Sequence, residues 1–148
     1  MKQLCLHRLV AGLGVVALAM VGLTSVGSAA EAPKKHRVVF QVNTADEGTQ
    51  QTAVSNMKNV IDLYGRENVE IELVTYGPGL GMIMKQNEKM AKQLPALHAA
   101  GVKFVACGNT MERLKVKKED LVDFAFVVKA GVPELIEKQE QGWAYIRP

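Results

Sequence analysis

Residues 36–77 read HRVVFQV NTADEGTQQTAVSNMKNVIDLYGREN VEIELVTYG, an apolar run, an amphipathic stretch and a second apolar run. His36 to Val42 has the Val- and Phe-rich texture of a strand. After it, Ala53, Val54, Met57, Val60, Ile61 and Tyr64 recur at helical spacing, with Gln50, Gln51, Ser55, Lys58 and Asp62 on the opposite side. Thr44 and Glu47 form a capping-box pair at the start of this helix, and Gly65 marks its stop. Val69 to Tyr76 is the second strand. There Glu70 and Glu72 alternate with Val69, Ile71 and Leu73, which predicts that one side of its start meets water or another subunit.

The same alternation continues downstream. Val102 to Cys107 and Phe124 to Val128 read as strands, and Trp143 to Ile146 as a weaker fifth. Between them a helical region runs from Met82 to Ala100, where Pro95 predicts a break or a kink. A last helix carries Pro133 in its first turn, turns Val132, Leu135 and Ile136 inward and ends at Gly142. Strands alternating with helices predict an α/β fold, a mainly parallel sheet with helices on both faces and right-handed crossovers. In such sheets ligands and reactive groups gather at the carboxyl ends of strands. That singles out Asn43 to Asp46, Gly77 to Gly81 and Cys107 to Thr110.

Composition sets the outer bounds. A chain of 148 residues holds one domain of ordinary size. Its 22% charged residues and near-zero mean hydropathy exclude a disordered or collagen-like protein. Two cysteines exclude a disulfide framework, and Lys+Arg 18 against Asp+Glu 15 argues against a nucleic-acid partner. No internal repeat is visible.

The first thirty residues form an address. Lys2, His7 and Arg8 precede an uncharged apolar run from Leu9 to Val26, and Ser28 and Ala30 occupy the −3 and −1 positions of a cleavage site. This predicts a secretory signal peptide over residues 1–30, with cleavage after Ala30 or, by the same rule, after Ala32. The competing reading is an uncleaved anchor, since the run approaches the length of a spanning helix. Gly12, Gly14, Gly22, Gly27 and the small-residue exit favour cleavage. Cys5 leaves with the signal. The mature 118 residues then carry net charge +1 and one cysteine, Cys107, in a periplasmic or secreted setting with no membrane partner. A lone thiol there is buried and inert, paired with another molecule, or kept for chemistry.

Cys107 ends its strand directly before Gly108. If Asn109 or Thr110 caps a following helical turn, the free amides of that turn favour a thiolate, the form that attacks sulfur or binds soft metals. Gly108 lets a substrate approach the backbone. The bland alternative is a cysteine that only fills space at the end of a core strand. Gly77, Gly79 and Gly81 lack nucleotide-loop spacing and any Lys-Ser/Thr pair, so a tight strand-to-helix turn explains them. Their amides remain candidates to line an anion pocket beside Cys107.

Other candidates are weaker. Met82 and Met84, with Cys107, are soft donors for Cu(I), yet helical spacing puts the two methionines on different faces. His36 lies at the mature start and His98 on a helix, and no zinc or serine-hydrolase motif is present, so no metal site is expected. Asp46 and Glu47 suit a helix N-terminus, and Lys115, Lys117 and Lys118 with Glu119 and Asp120 suit a solvated loop.

The segment from Gly101 to Met111, GVKFVACGNTM, resembles the strand-plus-cysteine segment of the DsrE/DsrF-like proteins, in particular their small exported members. The likeness extends to Val38–Val42, the Asn56–Tyr64 helix, the Val69–Gly77 strand and turn, Gly131–Leu135 and the closing Gln141–Pro148. The resemblance implies a three-layer α/β/α fold with a five-stranded sheet, assembled into homo- or hetero-oligomers. In the sulfur-oxidation and tRNA-thiolation members a cysteine at this strand end carries a persulfide between partner proteins, and Cys107 matches that position. The export signal departs from those cytoplasmic relays. The implied activity is a sulfur carrier that needs no cofactor, because the sulfur rides on Cys107 itself. Gly108, Asn109 and Thr110 would shape its pocket, Gly77 and Gly79 would line it, and a sulfur donor and acceptor would be its partners.

Overall fold

The computed structural model describes residues 35–148, so the expected signal peptide and Cys5 lie outside the described residues. Five strands, β1 (His36–Val42), β2 (Val69–Thr75), β3 (Lys103–Cys107), β4 (Ala125–Val128) and β5 (Ala144–Ile146), form one sheet in the order β4-β3-β2-β1-β5. Every pairing is parallel. Four helices connect them: α1 (Glu47–Tyr64), α2 (Glu88–Ala99), α3 (Gly108–Leu114) and α4 (Gly131–Glu140). No helix among the described residues is long and apolar enough to cross a membrane.

The two faces of the sheet are covered unequally. On one, Ala53, Val54 and Met57 of α1, with Met90, Leu94 and Leu97 of α2, pack on Phe40, Leu73 and Phe104. On the other, a small cluster joins Val39, Val74 and Val105 to Leu135 of α4 and Trp143. Burial of apolar area, at about 25 cal/mol per Å2, therefore favours the first face far more than the second.

Several local expectations are corrected. Thr44 and Glu47 do not form a capping box. Asp46 stands immediately before α1 and its carboxylate accepts from the Thr49 amide at 2.7 Å and the Thr49 hydroxyl at 2.8 Å. A charged acceptor at the helix N-terminus serves its free amides better than a threonine two residues further out. Gln50, assigned to the solvent side, is buried, because its amide donates to the Thr44 carbonyl at 3.1 Å.

The second helical region breaks before Pro95. A 3-10 helix runs over Gly77–Ile83, and Asn87 starts α2 by accepting from the Met90 amide at 3.2 Å. Pro95 lies inside α2 on its exposed side, where water can take up the carbonyl left without a partner. On α4 only Leu135 of the three expected core residues is buried, and Val132 and Ile136 are half-exposed. Glu72 does not meet water: it is 3% exposed, covered by α4, where Lys138 pairs with it at 2.8 Å.

Candidate functional site

The loops after β1, β2 and β3 all lead into elements that pack on the larger core, whereas the loop after β4 leads into α4 on the opposite face. Adjacent strands whose connections part in this way open a crevice between their carboxyl ends. β3 and β4 are such a pair, and Cys107 stands at that point, opposite Val128 in the register.

The helix after β3 begins immediately. Cys107 is itself the residue preceding α3, so neither Asn109 nor Thr110 is needed as a cap, and both lie in its first turn. Backbone amides from two helices converge on the sulfur: Thr110 and Asn109 from α3, and Gly131 from the start of α4. The Asn109 amide, whose share is the smallest, also donates to the Lys129 carbonyl at 3.1 Å. The Thr110 hydroxyl completes the set. It accepts from the Gly77 amide at 3.0 Å, leaving its own hydrogen for the sulfur. Burial acts to raise the Cys107 pKa, but these hydrogen bonds outweigh it and hold the thiol below its ordinary value.

The glycines have separate tasks. A Cβ on Gly108 would stand 2.9 Å from the Val128 carbonyl oxygen, so its bare backbone lets the end of β4 close on α3. A Cβ on Gly79 would fall 2.2 Å from the Val42 carbonyl oxygen, which ties this residue to packing against β1. Gly77, at φ +53, turns the chain so that its amide reaches Thr110. A Cβ on Gly131 would stand 3.3 Å from both Cys107 Cβ and Tyr76 Cβ.

Cys107, Thr110, Asn109, Gly108 and Gly77 thus come together, while Gly79 sits against the adjacent strand end. Cys107 is 6% exposed. A groove of about 430 Å3 along α3 is lined by Gly108, Met111, Val127, Lys115 and Lys117 among others, and not by Cys107 itself. Gly131 is the site residue that sequence reasoning missed as such. Its signal was a glycine opening the helix after β4, and only the strand order, with β4 beside β3, gives that glycine a place at the sulfur.

The remaining candidates have structural work. Met82 is fully buried in the larger core, and Met84 is half-buried against it. His36 stacks on Tyr64 at 4.0 Å and His98 on Phe124 at 4.4 Å. Among the described residues no group of three His, Cys, Asp or Glu side chains is placed to hold a metal ion.

An all-parallel, three-layer α/β domain with a hydrogen-bonded cysteine at its topological switch point is the class these features define. The DsrE/DsrF-like family model matches residues 36–148, and the chain belongs to that family. Among solved structures, it is 34% identical to a protein of unknown function, MTH1491 from Methanobacterium thermoautotrophicum. The match covers 77% of this chain and 100% of that one, with a TM-score of 0.73. The fold also recurs in BT1422 from Bacteroides thetaiotaomicron, a conserved protein of unknown function (14% identity, 76% of this chain and 94% of that one, TM-score 0.57). The ychN protein of E. coli is similar in the same way, at 16% identity over 76% of this chain and 99% of that one, with a TM-score of 0.56. No curated protein matches the chain.

Proposed function

We propose that this protein is an exported sulfur-relay protein whose single mature cysteine, Cys107, carries sulfane sulfur as a persulfide. The observation that carries the reading is the convergence of the Thr110 hydroxyl and the Gly131, Thr110 and Asn109 amides on one thiol at the β3–β4 crevice. Family membership supports sulfur relay as the setting. The Cys107 thiolate attacks the outer sulfur of a donor persulfide. The donor's S–S bond breaks, its thiolate leaves, and a new S–S bond stands on Cys107, with no net change in oxidation. The donors at the site that favour a thiolate also favour the persulfide anion. Transfer onward repeats the exchange with an acceptor thiol. Export rests on the sequence of residues 1–30. The working form is a homo-oligomer that meets a sulfur donor and acceptor, either a protein or a small sulfur compound, with no cofactor and no nucleic acid.

Incubation with polysulfide followed by intact mass tests this. The protein gains one sulfur atom that a reductant removes, and Cys107→Ser gains none. Equal loading of Cys107→Ser overturns the proposal. The 6% exposure of Cys107 favours a second reading, an assembly module with a structural cysteine. That reading predicts no loading at all, and a stability cost for Cys107→Ala.

A further inference from the structure

Beneath α4 lies a charged cluster that the sulfur chemistry does not use. Glu72, in the middle of β2, is 3% exposed. Its Oε2 pairs with Lys138 Nζ at 2.8 Å, and the same ammonium meets Glu134 Oε1 at 3.3 Å. Glu72 Oε1 has no hydrogen-bond partner and is fully enclosed, as is Trp143 Nε1. The Lys138 ammonium stands 4.6 Å from the Trp143 ring centre. With both carboxylates ionised, two negative charges face one positive charge under a helix that holds little apolar area against the sheet.

The charges around Glu72 are few. From α4 come Lys138 and Glu134. In the register, β3 places Lys103, which is exposed, opposite Glu72, while β1 places Val39 there and Arg37 opposite Glu70. Arg37 is directed to the Gln141 carbonyl at 2.6 Å and lies 5.9 Å from the Trp143 ring. None of these fills the vacant side of Glu72.

We propose that Glu72, Glu134 and Lys138 form a pH-sensitive latch that seats α4 on the sheet and so decides whether the Gly131 amide meets the Cys107 sulfur. The helix that carries Glu134 and Lys138 also begins with Gly131, so one rigid element joins the latch to the thiol. Burial raises the Glu72 carboxyl above its ordinary value, against the pull of Lys138 and with the help of Glu134. If α4 lifts, Glu72 meets water and returns to that ordinary value. The seated form therefore holds the proton more tightly. Its advantage is complete below the ordinary carboxyl value and is lost as pH rises through the raised one. The Lys138 ammonium, whose own pKa is raised, stays charged throughout. In acid the latch is closed and Gly131 is on the sulfur. At higher pH the buried negative charge on Glu72 loosens α4 and withdraws that donor.

The inference deepens the reading of Cys107 as a reactive thiol, but its test uses no sulfur compound, so the two fail separately. Amide hydrogen exchange is followed by NMR on the full chain from about pH 4 to about pH 8, with intrinsic rates corrected. Protection of Gly131 and the rest of α4 falls roughly threefold or more across this range while α1 holds steady. In Glu72→Gln, which keeps the shape without the charge, α4 protection no longer depends on pH. In Glu134→Gln the fall moves to lower pH, because the one negative charge opposing Glu72 ionisation is gone. A flat profile in the unmodified chain, or an equal fall in Glu72→Gln, overturns the latch. Should Glu72→Gln fail to fold, the direction of the Glu134→Gln displacement decides, and no displacement or one to higher pH counts against it.

Discussion

The two faces of the sheet are built on different principles. Under α1 and α2 lies a continuous apolar layer whose members Leu94, Met57, Leu73 and Phe104 are fully enclosed. Under α4, Leu135 and Trp143, with the half-buried Tyr76 and Val128, cover three valines, and beside them lies a charged cluster with an unsatisfied carboxylate oxygen. Such contrast separates tasks. The first face holds the fold by area burial, while the second seats its helix on a small apolar cluster and a buried ion pair. Cys107 sits where the two meet, taking one amide from the thinly held side and two from the firmly held side.

Leucine-to-alanine changes on each face give the largest expected contrast. Leu94→Ala costs about 4 kcal/mol in denaturant unfolding and Leu135→Ala about 2 kcal/mol, because a thin layer collapses onto the space more easily. Equal costs would remove the distinction. Next comes the 3-10 segment. Gly79→Ala drives a methyl into the Val42 carbonyl and costs about 3 kcal/mol. Gly81→Ala, with nothing within 4 Å of its added carbon, stays within about 0.5 kcal/mol. Thermal unfolding of the pair checks both.

A smaller effect lies at the thiol. Thr110→Val removes the hydroxyl from the sulfur and moves the Cys107 pKa upward, measured by thiolate absorbance against Cys107→Ser. The smallest is in the pH dependence of stability. Because the folded thiol is more acidic than the unfolded one, its contribution is present above the ordinary thiol value and is lost as pH falls through the lowered one. Cys107→Ser abolishes that slope, which unfolding curves at successive pH values reveal.

Much of this architecture was legible in the chain. All five strands lie where their Val, Ile and Phe content put them, and alternation with helices gives the parallel sheet. The Cys107 position at a strand end was equally readable. What sequence could not carry was lateral order. That β4 lies beside β3 depends on nonlocal packing, and so does the arrival of Gly131 at the sulfur. Glu72 misled for the same reason: alternating Glu and Ile residues signal a wet face unless a lysine on a distant helix covers it. The misplaced break at Pro95 has a local cause. An asparagine cap at Asn87 starts a helix that an exposed proline does not end.

The account turns on Cys107 being an acidic, reachable thiol in the folded protein. The direct test is the alkylation rate of Cys107 as a function of pH under native conditions, with Cys107→Ser as the blank that also cancels Cys5. Reaction in the folded state with a midpoint below the ordinary thiol value is the expected result. Modification only after denaturation, or a midpoint at or above the ordinary value, would contradict it.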